Sequence, residues 1–238
     1  MIKKVIHYVW IGSADKPDFV NSCIRNWKLT LPEYQFIEWN EQNLNMEQIL
    51  SECDFVKLCY EKKLWAYVSD YIRLKVLYEY GGVYLDTDIT LEKDITPLLD
   101  TEFFIGMEDE TYISAGIIGT VENNVIIKKI LDFYKNDIMS SDIYTIPKVI
   151  THVIEKNNFQ TIGNIYPPEF FYPYHYSQSF SENYITDNTY CIHWWGKSWI
   201  GGNIAFLETK HLQGFRRILS KIRFYIINCV KNRLRRYL

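Results

Sequence analysis

The chain has 238 residues, of which 47% are apolar and 23% charged, the mix of a globular domain, which excludes extended disorder and fibrous architectures. Its formal net charge of −3 excludes a general nucleic-acid binder, because phosphate contacts need a basic face. That charge is unevenly spread: no acidic residue follows Glu208, and nine of the 26 Lys and Arg lie from Lys210 onward, which leaves 17 basic against 29 acidic residues before it.

In chain order, Val5 to Ile11 is a nearly unbroken β-branched and aromatic run, the pattern of a strand covered on both faces and hence of a parallel sheet flanked by helices. Gly12 ends it, a helix is predicted near Phe19–Leu29, Pro32 stops that helix, and Tyr34–Trp39 reads as a second strand. This β–α–β order opens an α/β fold. A short helix follows over Asp54–Tyr60, then a long one over Leu64–Tyr80 that is apolar on almost every face and therefore buried between layers. Gly81-Gly82 caps it, Val83–Leu85 forms a brief strand, and Asp86-Thr87-Asp88 sits where that strand leaves the sheet. Phe103–Met107 and Gly116–Gly119 read as strands, Val125–Tyr134 and Pro147–Glu155 as helices. Between Ile165 and Tyr176 the run is so rich in Pro and aromatics that an ordered loop without regular structure is expected. From about Phe215 the chain reads as a basic amphipathic helix. The expected organisation is one α/β domain over residues 1–209 and this helix over 210–238.

Five cysteines, Cys23, Cys53, Cys59, Cys191 and Cys229, show no CxxC spacing and point to free thiols in a reducing compartment. The N-terminus runs straight into a strand with no small-residue cleavage site, and no stretch reaches the roughly 18 apolar residues of a membrane span. The expected location is the cytosol or a membrane surface facing it.

Three groups of residues carry chemistry. Asp86 and Asp88, one residue apart on a turn, converge as ligands of a hard divalent cation do, although such a pair also serves plain turns. Ser69, Asp70 and Arg73 share one side of the buried helix at 100° per residue. Buried charges are costly unless paired or used, so Asp70 and Arg73 form a structural pair, grip ligand hydroxyls, or both. The stretch Cys191–Trp199 holds His193, three Trp, Lys197 and Ser198 before Gly201-Gly202. His193 there is a metal ligand or a satisfied core imidazole, and the segment has the makings of a flap that closes over a diphosphate.

With VIHYVWIG near the start, SDYIRLKVLYEYGGVYLDTD in the middle, GIIGT after it and IHWWGKSW near the end, residues 2–200 resemble glycosyltransferase family 32. These are the DXD-containing sugar-transfer enzymes of bacterial capsules and the yeast initiating mannosyltransferases; the catalytic domains of clostridial glucosylating toxins are more distant relatives. The resemblance implies a GT-A fold with a Rossmann-like mixed sheet, a nucleotide-diphosphate sugar donor, a Mn²⁺ or Mg²⁺ cofactor and retention of anomeric configuration. By position it implies that Trp10, beside the Val9 backbone, stacks on the nucleobase, and that Ser69, Asp70 and Arg73 meet the ribose or sugar. Tyr84 and Asp86 would support the nucleoside and the metal's water shell, Asp88 and His193 would bind the metal, and Ser198 and Trp199 would hold the β-phosphate. Many relatives carry a second His after the first in the last motif; here Trp194 stands instead, so a second imidazole has no counterpart.

The favoured reaction is hexosyl transfer from UDP-galactose or UDP-glucose to a glycan or lipid-linked saccharide in surface polysaccharide synthesis, with GDP-mannose as the alternative donor. A non-catalytic carbohydrate-binding module would explain the 16% aromatic content but leaves the acidic pair idle. A metal-dependent phosphotransferase lacks its glycine signature, since neither GxxxxGK[ST] nor GxGxxG occurs. In the tail, Phe215, Ile218, Leu219 and Ile222 recur at helical spacing opposite Arg216, Arg217, Lys221 and Arg223, which predicts either attachment to an anionic membrane or docking on the acidic body.

Overall fold

The computed structural model describes residues 1–12, 14–161 and 163–196, and within the C-terminal stretch 214–216, 218, 219 and 222. The boundary expected at 209/210 lies outside the described residues. The strands are β1 (Val5–Val9), β2 (Gln35–Trp39), β3 (Gly82–Leu85), β4 (Ile89–Leu91), β5 (Phe103–Met107), β6 (Ile113–Thr120), β7 (Asn164–Tyr166) and β8 (Cys191–His193). The helices are α1 (Asp18–Thr30), α2 (Met46–Glu52), α3 (Asp54–Glu61), α4 (Trp65–Tyr80), α5 (Val125–Asn136), α6 (Ile146–Lys156) and α7 (Pro168–Phe171).

Six strands form one sheet in the order β2-β1-β3-β6-β5-β7. The first three are parallel, as the opening β–α–β pattern predicts, and β6 runs antiparallel to both β3 and β5, which makes the sheet mixed. Its strands alternate between two cores. On β3, Val83 and Leu85 point to one side and Tyr84 to the other; on β6, Ile117 and Ile118 divide in the same way. One core packs α4, α5 and α6 on the sheet through Val68, Ile72, Ile127 and Ile150; the other packs α1 and α7 through Trp27 and Phe171. Both faces are thus covered, which is why β1 and β3 read as continuous apolar runs rather than alternating ones.

Helix α4 is as buried as its all-round apolar pattern requires, Asp70 and Arg73 included. It stops at Gly81 (φ +64°), and the next residue, Gly82, has φ +96°. A Cβ at Gly82 would lie 2.8 Å from the Val5 carbonyl oxygen, so only glycine lets β3 start this close to β1.

Two expectations need correction. The Pro- and aromatic-rich run from Ile165 contains regular structure: β7 adds an edge strand beside β5, and α7 starts on Pro168. Pro167 caps α7 and Pro168 opens it, and a first helical turn is where proline's missing N–H costs nothing. The strands β4 and β8, unassigned in the sequence, pair with each other in a separate two-stranded sheet. Helix α1 fixes β4: the Asn26 amide bonds the Leu91 backbone in both directions, at 3.1 and 2.7 Å, and the Trp27 indole N–H donates to the Ile89 carbonyl at 2.7 Å. Cys23, Cys53, Cys59 and Cys191 are buried free thiols, and Cys229 lies outside the described residues. Among the described residues no helix is long and apolar enough to cross a membrane.

Candidate active site

The turn between β3 and β4 carries Asp86, Thr87 and Asp88. The Asp86 N–H donates to the Gly116 carbonyl on β6 at 2.8 Å, and the Ile89 N–H closes the turn on the Asp86 carbonyl at 3.1 Å. Both aspartates therefore sit at the end of a central strand, the place where open α/β sheets bind ligands.

Beneath them lies a buried charge network. Arg73 on α4 pairs through Nη2 with Asp70 at 2.9 Å and through Nη1 with Asp86 at 3.0 Å. Its Nη1 also donates to the Ala115 carbonyl at 2.9 Å, and its guanidinium lies 4.6 Å from the centre of the Tyr84 ring. The Tyr84 hydroxyl donates to Asp86 Oδ1 at 3.0 Å. Arg73 and Tyr84 thus hold the same Asp86 oxygen. Burial pushes the Asp70 carboxyl up to about 7 against the pull of Arg73, and it raises Asp86 as well. The structural pairing expected of Asp70 and Arg73 forms, and it extends to Asp86, which the spacing along one helix does not reveal.

His193 reaches this turn through β8. The β4–β8 register sets Ile89 opposite His193, the Trp194 N–H donates to the Asp88 carbonyl at 2.9 Å, and His193 Nε2 lies 3.1 Å from Asp88 Oδ1. The Gly196 N–H donates to the other oxygen, Asp88 Oδ2, at 2.6 Å. Burial disfavours charge on both partners, yet each outweighs it for the other: Asp88 holds the imidazole above its ordinary value, and His193 holds the carboxyl below the usual range. Among the described residues, the buried His193 Nδ1 has no hydrogen-bond partner. A satisfied core histidine would leave no such atom.

Asp86, Asp88 and His193 each bring one ligand atom within 4.8 Å of the others, a spacing that one cation can span. Their side chains keep 23%, 20% and 12% exposure, so the cluster opens to solvent while Arg73, at 6%, does not. Two carboxylates and an imidazole are the oxygen-rich donor set of Mn²⁺ or Mg²⁺ rather than of thiolate-seeking metals. The residues present fit the ion that the resemblance implies.

The other expected site residues are dispersed around this cluster. Val9 is buried at the end of β1; the neighbouring Trp10 is half-buried, with its indole N–H donating to the Ala14 carbonyl at 2.6 Å. The Ser69 hydroxyl donates to the Ala66 carbonyl at 2.8 Å on its own helix. Lys197, Ser198 and Trp199 lie outside the described residues. Tyr172 and Trp195 have no role in the sequence reading. The Tyr172 hydroxyl accepts from the Ile117 N–H at 3.2 Å and its ring packs edge-on to His193 at 5.7 Å. Trp195 has φ +54°, a left-handed backbone rare for a bulky side chain, whose strain costs about 1–3 kcal/mol. Gly116 backs the cluster: a Cβ there would lie 3.0 Å from the Tyr172 hydroxyl and 3.4 Å from Asp86 Oδ2. The quoted GIIGT run was the available signal for it.

Residues 17–105 match the family described as glycosyltransferase sugar-binding region containing DXD motif. Inositol phosphoceramide mannosyltransferase 3 of Schizosaccharomyces pombe is 24% identical over 141 residues, 55% of this chain and 36% of that protein. Mannosyl phosphorylinositol ceramide synthase SUR1 of Saccharomyces cerevisiae is 26% identical over 137 residues, 57% of this chain and 35% of its own length. The chain thus spans about a third of the length of these curated relatives. Among solved structures, the PaToxG glycosyltransferase shares the fold with a TM-score of 0.56 at 18% identity, over 66% of this chain and 70% of that one. The UDP-bound glycosyltransferase domain of the YGT toxin matches with a TM-score of 0.50 at 12% identity, over 79% of this chain and 81% of its own. With the acidic pair at the strand end, these likenesses show a GT-A fold whose residues 17–105 are similar to the DXD-containing sugar-binding region of glycosyltransferases.

Proposed function

We propose that this chain is a glycosyltransferase, divalent-cation-dependent and retaining, that moves a hexose from a nucleotide-diphosphate sugar to a saccharide or lipid-linked acceptor. The observation that carries the reading is the Asp86–Asp88–His193 cluster, partly exposed to solvent and backed by a fully engaged Arg73. A Mn²⁺ or Mg²⁺ ion held there would offset the negative charge that builds on the departing diphosphate.

The protein's own residues position and screen. Arg73 and Tyr84 fix one Asp86 oxygen, which leaves Oδ2 directed toward the space in front of Gly116. Gly196 fixes Asp88 in the same way. Trp10 is assigned to the nucleobase and Ser69 to the ribose or sugar. Among these groups none is placed as a nucleophile, which favours front-face attack. The acceptor oxygen bonds to the anomeric carbon as the bond to the β-phosphate oxygen breaks, the bonding pair leaves with the phosphate, and the phosphate takes the acceptor's proton. Catalysis is then mainly orientation and charge stabilisation.

The activities for which the two yeast relatives are named favour a mannosyl donor and a lipid acceptor, whereas the UDP-bound toxin domain shares only the fold. GDP-mannose is accordingly tested first, against UDP-galactose and UDP-glucose. Purified protein incubated with each donor and Mn²⁺ should release nucleotide diphosphate from one of them and stop when EDTA is added. Binding of glycans without release from any donor would instead establish a carbohydrate-binding module.

A membrane-facing position accompanies a lipid acceptor. The described residues of the tail are helical, and Phe215, Ile218, Leu219 and Ile222 are all at least half exposed. Apolar side chains at this spacing in a segment rich in Lys and Arg suit peripheral attachment to an anionic leaflet. We assign residues 1–209 to catalysis and 210–238 to this attachment.

A further inference from the structure

The aromatic run that ends at Tyr176 and the strained Trp195 have no individual role in the donor reading above, yet they meet beside the acidic cluster. The Trp195 ring centre lies 4.3 Å from that of His193, 5.9 Å from Tyr172, 5.8 Å from Tyr176 and 6.5 Å from His175. Its indole N–H donates to the Tyr174 carbonyl at 3.0 Å. His175 and Tyr176 lie ring to ring at 3.9 Å, and the His175 imidazole is held by the Ser177 hydroxyl at 2.6 Å. Tyr176 is 44% exposed.

A core does not demand this arrangement. Trp195 takes its left-handed backbone between two bonds to one residue, from the Trp194 N–H to the Asp88 carbonyl and from the Gly196 N–H to the Asp88 carboxylate. The strain places an indole next to the cluster, and an exposed phenol extends the wall outward. An aromatic face beside polar groups is how proteins hold a pyranose, with the ring against the sugar's C–H face and the hydroxyls left to polar partners. Position within the sheet separates this wall from the donor. Tyr172 anchors it on β6, whereas Trp10 follows β1, and β3, which leads to Asp86 and Asp88, runs between those two strands.

We propose that Tyr176 and Trp195, braced by His175 and Tyr172, form the acceptor subsite and stack on a pyranose ring of the saccharide acceptor. The proposal rests on the glycosyl-transfer reading above. The test uses the full chain with Mn²⁺, with GDP-mannose, UDP-glucose and UDP-galactose as donors and the methyl glycosides of glucose, galactose and mannose as acceptors. Tyr176→Ala should raise the acceptor KM about tenfold, the scale of one aromatic contact, while donor KM changes less than twofold. Tyr176→Phe should restore the acceptor KM, because the ring face does the binding. An unchanged acceptor KM in Tyr176→Ala, or equal losses for donor and acceptor, overturns the subsite. If the wild type turns over none of the donors, glycosyl transfer fails as a reading, and saturation-transfer NMR of the methyl glycosides with Mn²⁺ and UDP or GDP judges the subsite alone. Glycoside signals lost in Tyr176→Ala then support it; signals absent from the wild type or unchanged in the variant refute it.

Discussion

His7 should make the fold acid-sensitive through a mechanism that its two ring nitrogens define. Nε2 lies 2.8 Å from the Gly81 carbonyl and so carries the proton, while Nδ1 accepts from the Trp39 indole N–H at 3.0 Å. A second proton would set two donors face to face, and the ring is 1% exposed. Burial, only partly countered by Gly81, lowers the His7 pKa from 6.5 to about 4. The unfolded chain therefore takes up a proton near pH 6.5 that the folded chain refuses until about 4, so stability falls as pH drops through that window and is level above it. Over the whole window this amounts to about 3 kcal/mol, and about 2 kcal/mol is lost by pH 5. For a chain of this size that is a fall in Tm of roughly 4–8 °C between pH 7.5 and 5.0. Thermal melts of the wild type and His7→Gln at both pH values measure it. The glutamine can keep the bond to Gly81 but cannot titrate, so groups common to both proteins cancel in the difference. Equal acid sensitivity in the two proteins would refute the reasoning.

Asp88→Asn should abolish transfer and metal-dependent nucleotide binding with the fold intact, and Asp86→Asn should be nearly as damaging; normal turnover of the Asp88 variant at ordinary Mn²⁺ would remove the metal site. His193→Ala should raise the Mn²⁺ concentration for half activity with little change in Tm, whereas a large drop in Tm with unchanged metal dependence would return His193 to the core. Arg73→Met leaves the buried Asp70 and the partly exposed Asp86 without their shared partner and should cost about 3–5 kcal/mol in a denaturant titration, a loss under 1 kcal/mol counting against the network. Truncation after Gly214 should reduce co-sedimentation with anionic liposomes at low salt, each basic residue contributing about 1 kcal/mol at best, without loss of transfer to a soluble acceptor; equal sedimentation of both forms would exclude membrane attachment.

The local parts of this molecule are written in contiguous sequence. A β-branched run makes β1, a helix apolar on all sides makes the buried α4, Gly81-Gly82 ends it, and Asp86 and Asp88 follow within eight residues, so strand, turn and acids are read together. Asp70 and Arg73 are legible as a pair because three residues along a helix bring side chains onto one side. The rest of the site depends on strand register. Gly196 stands 108 residues beyond the Asp88 that it bonds, and His193 meets the cluster because β8 pairs with β4 at Ile89. A one-residue slip in that pairing would turn His193 to the opposite face, and no local pattern in a three-residue strand specifies against it. Tertiary structure makes the choice through α1, whose Asn26 and Trp27 clamp β4, and through the Pro-rich segment, whose Tyr172 locks onto β6 beside His193. The strained backbone of Trp195 follows from the same closure, since a left-handed tryptophan persists only where surrounding contacts outweigh its cost.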